Sequence, residues 1–110
     1  MKLLNDALKQ RFSDVGQQEE NPLVIAKFFD PFGSATWYAT EYDPETNICY
    51  GYVTGLAEDE WGDFSIDEME AYTREIKMTI LGKELTTTGK LERDLHFKET
   101  RFNNIKNINA

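Results

Sequence analysis

The chain has 110 residues, 40% of them hydrophobic and 13% aromatic, enough for one compact core and too few for two ordinary domains. Its 20 acidic side chains against 12 basic ones give a formal net charge of -8, which argues against a general basic footprint for direct nucleic-acid binding and against adhesion to anionic lipid. No stretch approaches the roughly 20 apolar residues of a membrane span, the charged amino terminus lacks the apolar core of a signal peptide, and a lone cysteine, Cys49, excludes an intrachain disulfide and favours the cytoplasm.

From the amino terminus, Leu4, Leu8, Phe12 and Val15 recur at helical spacing. They predict a helix that ends at Gly16, where positive φ closes the last turn. The polar QQEENP reads as a connecting loop, and LVIAKFF, short and rich in branched and aromatic residues, as a strand. Asp30-Pro31-Phe32-Gly33-Ser34 supplies a turn before a second strand, ATWYATEY, and Asp43-Pro44-Glu45-Thr46-Asn47 a turn before a third, ICYGYVT. Short connections between short strands predict an antiparallel meander.

LAEDEWGDFS then reads as an acidic loop or short strand anchored by Trp61 and Phe64. Ser65 followed by Glu68 matches a helix-capping pattern, which predicts a second helix from about Ile66 to Ile76 with acids in its first turn. KMTILGKELTTTGKL fits either an extension of that helix or a hairpin around Gly82. LERDLHF alternates Leu91, Arg93, Leu95 and Phe97 against Glu92, Asp94 and His96, as a half-buried strand does. A single domain over residues 1–100 is expected, followed by a polar, asparagine-rich tail over 101–110 that is frayed or peripheral.

Charge is unevenly spread. Residues 35–70 hold ten acids and no base, so the middle third carries more than the whole imbalance. Within it, Glu58, Asp59, Glu60, Trp61, Asp63, Asp67, Glu68 and Glu70 form the cluster expected to meet a partner. If Tyr42 pairs with Ile48, one side of the hairpin collects Tyr38, Thr40, Tyr42, Ile48, Tyr50 and Tyr52, and the other Trp37, Ala39, Glu41, Cys49, Gly51 and Val53. Small Ala39 and Gly51 suit the second side to a packed helix and leave the tyrosines partly exposed. Tyr38, Tyr42, Tyr50 and Tyr52 then either pack across their own strands or form an aromatic recognition patch flanked by acids.

Glu41 and Arg93 fall on the apolar sides of their predicted strands, where an unpaired charge is expensive. They are expected to pair with each other, with Lys27 competing for Glu41, or else to line a polar pocket. Cys49 and the lone histidine, His96, are the one nucleophile-and-base combination available, but nothing in the sequence brings them together. The acids from Glu58 to Asp63 lack calcium-loop spacing, and there is no histidine and cysteine set for a transition metal. No catalytic residue, metal or cofactor is therefore expected.

The segments NPLVIAKFFDPFGSATWYATEYDPETNICYGYVTG, EWGDFSIDEME and LERDLHF together resemble the small bacterial family catalogued as domain of unknown function 2958. The matching residues include Lys27, Phe28, Phe29, Pro31, Trp37, Tyr38, Glu41, Tyr42, Gly51, Gly55, Gly62, Phe64, Ser65, Glu92, Arg93 and Asp94, after an MKLL-like start. KELTTTGKL is longer than in typical members, and the asparagine-rich tail is also a departure. The resemblance implies a single α+β domain and a setting on plasmids, phages or integrated elements, and it carries no catalytic residue.

The expected fold is α+β, an antiparallel sheet of three to five strands packed with the amino-terminal helix and the capped second helix. The expected function is a non-enzymatic binding module that presents acids to a basic protein such as a nuclease or DNA-binding protein, one version being an anti-defence inhibitor that imitates nucleic acid. The alternatives are a regulatory adaptor and a small hydrolase or nucleotide-binding enzyme.

Overall fold

The computed structural model describes residues 2–105. Helix α1 (Asp6–Val15) starts where the Asn5 side chain accepts the Leu8 N–H at 2.8 Å and stops at Gly16, whose φ of 69° lets its N–H return to the Phe12 carbonyl at 2.9 Å. Its apolar stripe lies on a five-stranded antiparallel sheet. The strands, in spatial order, are β5 (Glu60–Ser65), β4 (Ile48–Thr54), β3 (Thr36–Asp43), β2 (Ala26–Phe29) and β8 (Glu92–Arg93). The fold is α+β, and β2, β3 and β4 form the expected meander. A two-residue pair, β1 (Leu23–Val24) with β9 (Thr100–Arg101), makes a second small sheet, and β6 (Thr73–Ile80) with β7 (Lys83–Lys90) makes a third.

One face of the main sheet holds the larger core. Leu3, Leu4 and Phe12 pack with Phe28, Trp37, Ala39 and Cys49 and with Ile66 and Met69 of helix α2 (Ile66–Ala71). The Ser65 hydroxyl caps α2 by accepting the Glu68 N–H at 3.2 Å. Helix α2 is shorter than expected: it ends at Ala71, and Tyr72 is already extended at φ -65°, ψ 130°. Residues 73–80 instead pair over eight positions with residues 83–90. Threonines and branched residues on both arms favour that ladder, and Leu81 and Gly82, at φ 52° and 77°, supply the two positive values of a tight hairpin turn. The hairpin reading of residues 77–90 is the one observed, with strands that begin four residues earlier, at Thr73.

The hairpin register holds only halfway. Trp37 faces Val53, Tyr38 faces Tyr52 and Ala39 faces Gly51, as expected, but a bulge after Ala39 then pairs Glu41 with Tyr50 and Tyr42 with Cys49. Thr40, 1% exposed, is the extra residue, and its hydroxyl donates to the Tyr50 carbonyl at 3.1 Å. Glu41 and Tyr42 have therefore exchanged faces relative to the expectation. Gly51 is small for a reason other than helix packing, since a Cβ there would strike the backbone carbonyl of Tyr38 on the adjoining strand.

The opposite face is covered by the carboxy-terminal segment. A 3-10 turn (Phe102–Asn104) follows β9 and drives Phe102 into a second core with Val24, Tyr38 and Tyr52, against which Trp61, Phe97 and Ile105 pack. Phe102 and Ile105, expected in a frayed or peripheral tail over 101–110, therefore pack with the second core instead; residues 106–110 lie outside the described residues. LERDLHF is strand only at Glu92–Arg93. Asp94 then turns the chain by accepting the His96 N–H at 2.9 Å, and Leu95 is left 65% exposed rather than buried.

Candidate functional site

The bulge decides which side chains meet on the second face. Tyr50 on β4 lies between Glu41 on β3 and Asp63 on β5, one cross-strand row of acid, aromatic and acid. Next to it Trp61 stacks on Tyr50, with ring centroids 6.0 Å apart and planes 17° apart. Trp61 is itself held from behind by Phe102 at 4.7 Å and by Tyr52 at 5.2 Å. Tyr50 is 39% exposed, so the stack presents an open ring on a rigid backing.

Grooves flank this row. One, about 390 Å³, includes Glu41, Asp43, Tyr50 and Asp63. The other, about 310 Å³, includes Glu19, Glu20, Glu41, Tyr50 and Trp61. Glu41 is positioned by Gln18, whose backbone N–H donates to the carboxylate at 3.2 Å, while the Gln18 side chain bonds both Leu23 and the Thr40 carbonyl. A carboxylate held this way has lost much of its rotamer entropy before any partner arrives.

The Glu41–Arg93 ion pair is not formed. The register places Arg93 opposite Phe28 on the larger-core face and Glu41 opposite Tyr50 on the other. The Arg93 guanidinium donates to the Leu3 carbonyl at 2.7 Å, fastening the amino terminus, and Lys27 faces Asp94 at 3.5 Å rather than Glu41. The four tyrosines are likewise divided. Tyr38 and Tyr52 are buried under the carboxy-terminal segment, Tyr42 sits on the other face beside Phe12 with its hydroxyl donating to Asn47, and Tyr50 alone of the four is exposed.

The acidic cluster is divided too. Asp59 accepts the Gly55 N–H at 3.1 Å, Asp67 accepts from the Asn47 amide at 2.7 Å, and Glu70 accepts the Leu3 N–H at 2.8 Å, so these three shape loops and termini. Glu58, Glu60, Asp63 and Glu68 are exposed. Glu60 and Asp63 project to opposite faces of β5, by their pairing with Val53 and Tyr50 respectively. The acids thus form separate rims, of which the one at Asp63 is joined to aromatic surface. Glu41, subtracted from the surface by sequence reasoning, belongs to it; Phe102, assigned to a tail, supports it. An arginine-phenylalanine pair in an otherwise asparagine-rich stretch was the available signal for Phe102.

Cys49 is fully buried on β4, three strands from the β8 edge, and His96 is exposed in the turn that follows β8. Burial pushes the Cys49 thiol up to about 12. It is therefore expected to resist alkylation of the native protein at pH 8 and to react at the rate of unfolding, which a thiol-labelling time course measures against urea concentration. Fast native labelling would contradict this burial. Among the described residues, no group of three or more histidine, cysteine or carboxylate side chains is placed to hold a metal ion, and no helix is long and apolar enough to cross a membrane.

The architecture defines a small α+β domain with two capped helices on one face of an antiparallel sheet and an acid-flanked aromatic row on the reverse side. The chain belongs to the family described as "Protein of unknown function (DUF2958)", which matches residues 1–103. No curated protein and no solved structure matches the chain.

Proposed function

We propose that the protein is a non-enzymatic binding module of a mobile genetic element that works in the cytoplasm by presenting the Tyr50–Trp61 row to a basic protein partner. The observation that carries this reading is the stack at 17° flanked by Glu41 and Asp63. A guanidinium is planar, stacks on aromatic faces and binds carboxylates through paired N–H groups, so this row fits an arginine-bearing surface of a nuclease or DNA-binding protein. An anti-defence inhibitor that occupies a phosphate-binding surface is the narrower form of the same idea, supported by the carboxylates of Glu41 and the exposed Asp63 on either side of Tyr50.

The test is affinity capture from a bacterial lysate followed by titration of the captured protein. Tyr50→Ala is expected to weaken binding about 30-fold, the effect of losing an aromatic anchor. Asp63→Lys is expected to weaken it about tenfold and to flatten its salt dependence. Glu60→Lys, on the other face of the strand, should change little. Loss of binding from Glu60→Lys but not from Tyr50→Ala would move the site away from the aromatic row, and displacement by duplex DNA would support imitation of nucleic acid.

A further inference from the structure

The β6–β7 ribbon is the part of the fold with least reason to stand alone. Every residue from Lys77 to Thr88 is exposed, and a two-stranded ribbon is marginal in water without something against its apolar face. Such a face exists. Pairing of Met78 with Leu85, Ile80 with Lys83 and Ile76 with Thr87 puts Ile76, Met78, Ile80 and Leu85 on one side. Glu75, Lys77, Glu84 and Lys90 lie on the other.

The tip is stranger still. Leu81 is 98% exposed and holds a φ of 52°, a conformation that this turn type ordinarily fills with asparagine, aspartate or glycine. A leucine there costs turn stability and exposes its whole side chain to water. An anchor that enters a partner's pocket accounts for both costs.

A receptor of matching chemistry lies at the ribbon's root. There a groove of about 380 Å³ is lined by Trp37, Leu56, Phe64, Met69, Tyr72 and Leu91, with Glu68 and the Arg74-paired Asp30 as its acids on that face. Tyr72 and Leu91 directly flank the two ribbon strands. The apolar face turns toward this side, since Arg74, in the row of Gly89 on that face, reaches Asp30 of the groove lining at 3.6 Å and donates to the Phe32 carbonyl at 2.8 Å. The ribbon is also cationic, with Arg74, Lys77, Lys83 and Lys90 against Glu75 and Glu84, in a protein of net charge -8. Its tip lies roughly 25 Å from its own root, the rise of eight strand residues, and cannot reach its own groove. In two ribbons laid antiparallel about a two-fold axis, however, the tip of each arrives at the root of the other.

We propose that the chain self-associates in this way, with Leu81 of each copy seated in the groove of the second copy and Lys83 facing the acids of its rim, a closed and self-complementary arrangement. Sedimentation equilibrium of the full chain at micromolar concentration tests it. The wild type should be a dimer. Leu81→Asn suits the turn better and should keep or raise the melting temperature, yet it should weaken association tenfold or more, about the loss of one good apolar anchor. Lys83→Glu and Glu68→Lys should each weaken the dimer, and an equimolar mixture of the two should restore it, because both contacts in the mixed pair then join opposite charges. A wild type that stays monomeric, a dimer indifferent to Leu81→Asn, or a mixture that fails to recover would each overturn the proposal.

Discussion

Replacing Gly51 by alanine should destabilise the protein by about 3 kcal/mol or more, the upper range for overpacking, because the added methyl meets the backbone of the adjoining strand rather than a movable side chain. The position is inflexible for a specific reason. Gly51 pairs with Ala39 at the step where the bulge enters, and there a Cβ would meet both the Tyr38 carbonyl and the Ala39 Cα. Relief requires β3 and β4 to separate, which would undo the row that aligns Glu41, Tyr50 and Asp63. Gly62, the cross-strand partner of Gly51 on β5, is the control. A Cβ there meets nothing within 4 Å, so Gly62→Ala should be neutral or stabilise by about 0.5 kcal/mol through the reduced freedom of the unfolded chain. Urea denaturation of both variants measures the contrast, and equal effects would mean that strand spacing at Gly51 is not the constraint.

Phe102→Ala should cost about 3 kcal/mol and lower the melting temperature by on the order of 10 °C or more. Phe102 is 5% exposed and lies 5.2 Å from Tyr52 and 4.7 Å from Trp61, so its removal opens a cavity under the aromatic stack. The same change should weaken capture of a basic partner, because Trp61 loses the ring that fixes its plane. Thermal melting with a binding titration on one sample checks both effects. A variant of full stability would return the segment after Arg101 to the peripheral role that its composition suggests.

The local signals were legible. Helix α1, its Gly16 stop, the Ser65 cap and the turn ending in Asn47, which adopts φ 57°, follow from side chains that satisfy backbone groups within a few residues. The second helix was read too long because Ile76 falls at helical spacing from Ile66, while the threonines that favour pairing lie a turn and a strand away, on β7. Cross-strand partnership between segments ten residues apart leaves no periodic mark on either one alone. Half of the candidate site was obscured in the same way: the bulge at Thr40 exchanged Glu41 with Tyr42, and no residue type announced it.

By itself the sequence determined an α+β fold, an antiparallel meander, capped helices and a strongly acidic middle third, all matters of composition and of spacing along the chain. Tertiary structure decided which acids share a face, that Arg93 fastens the amino terminus instead of pairing with Glu41, and that Phe102 leaves the tail to back Trp61. Those outcomes depend on register and on contacts between residues far apart in the chain. A one-residue bulge changes side-chain direction by half a strand period without altering the strand propensity of any residue around it.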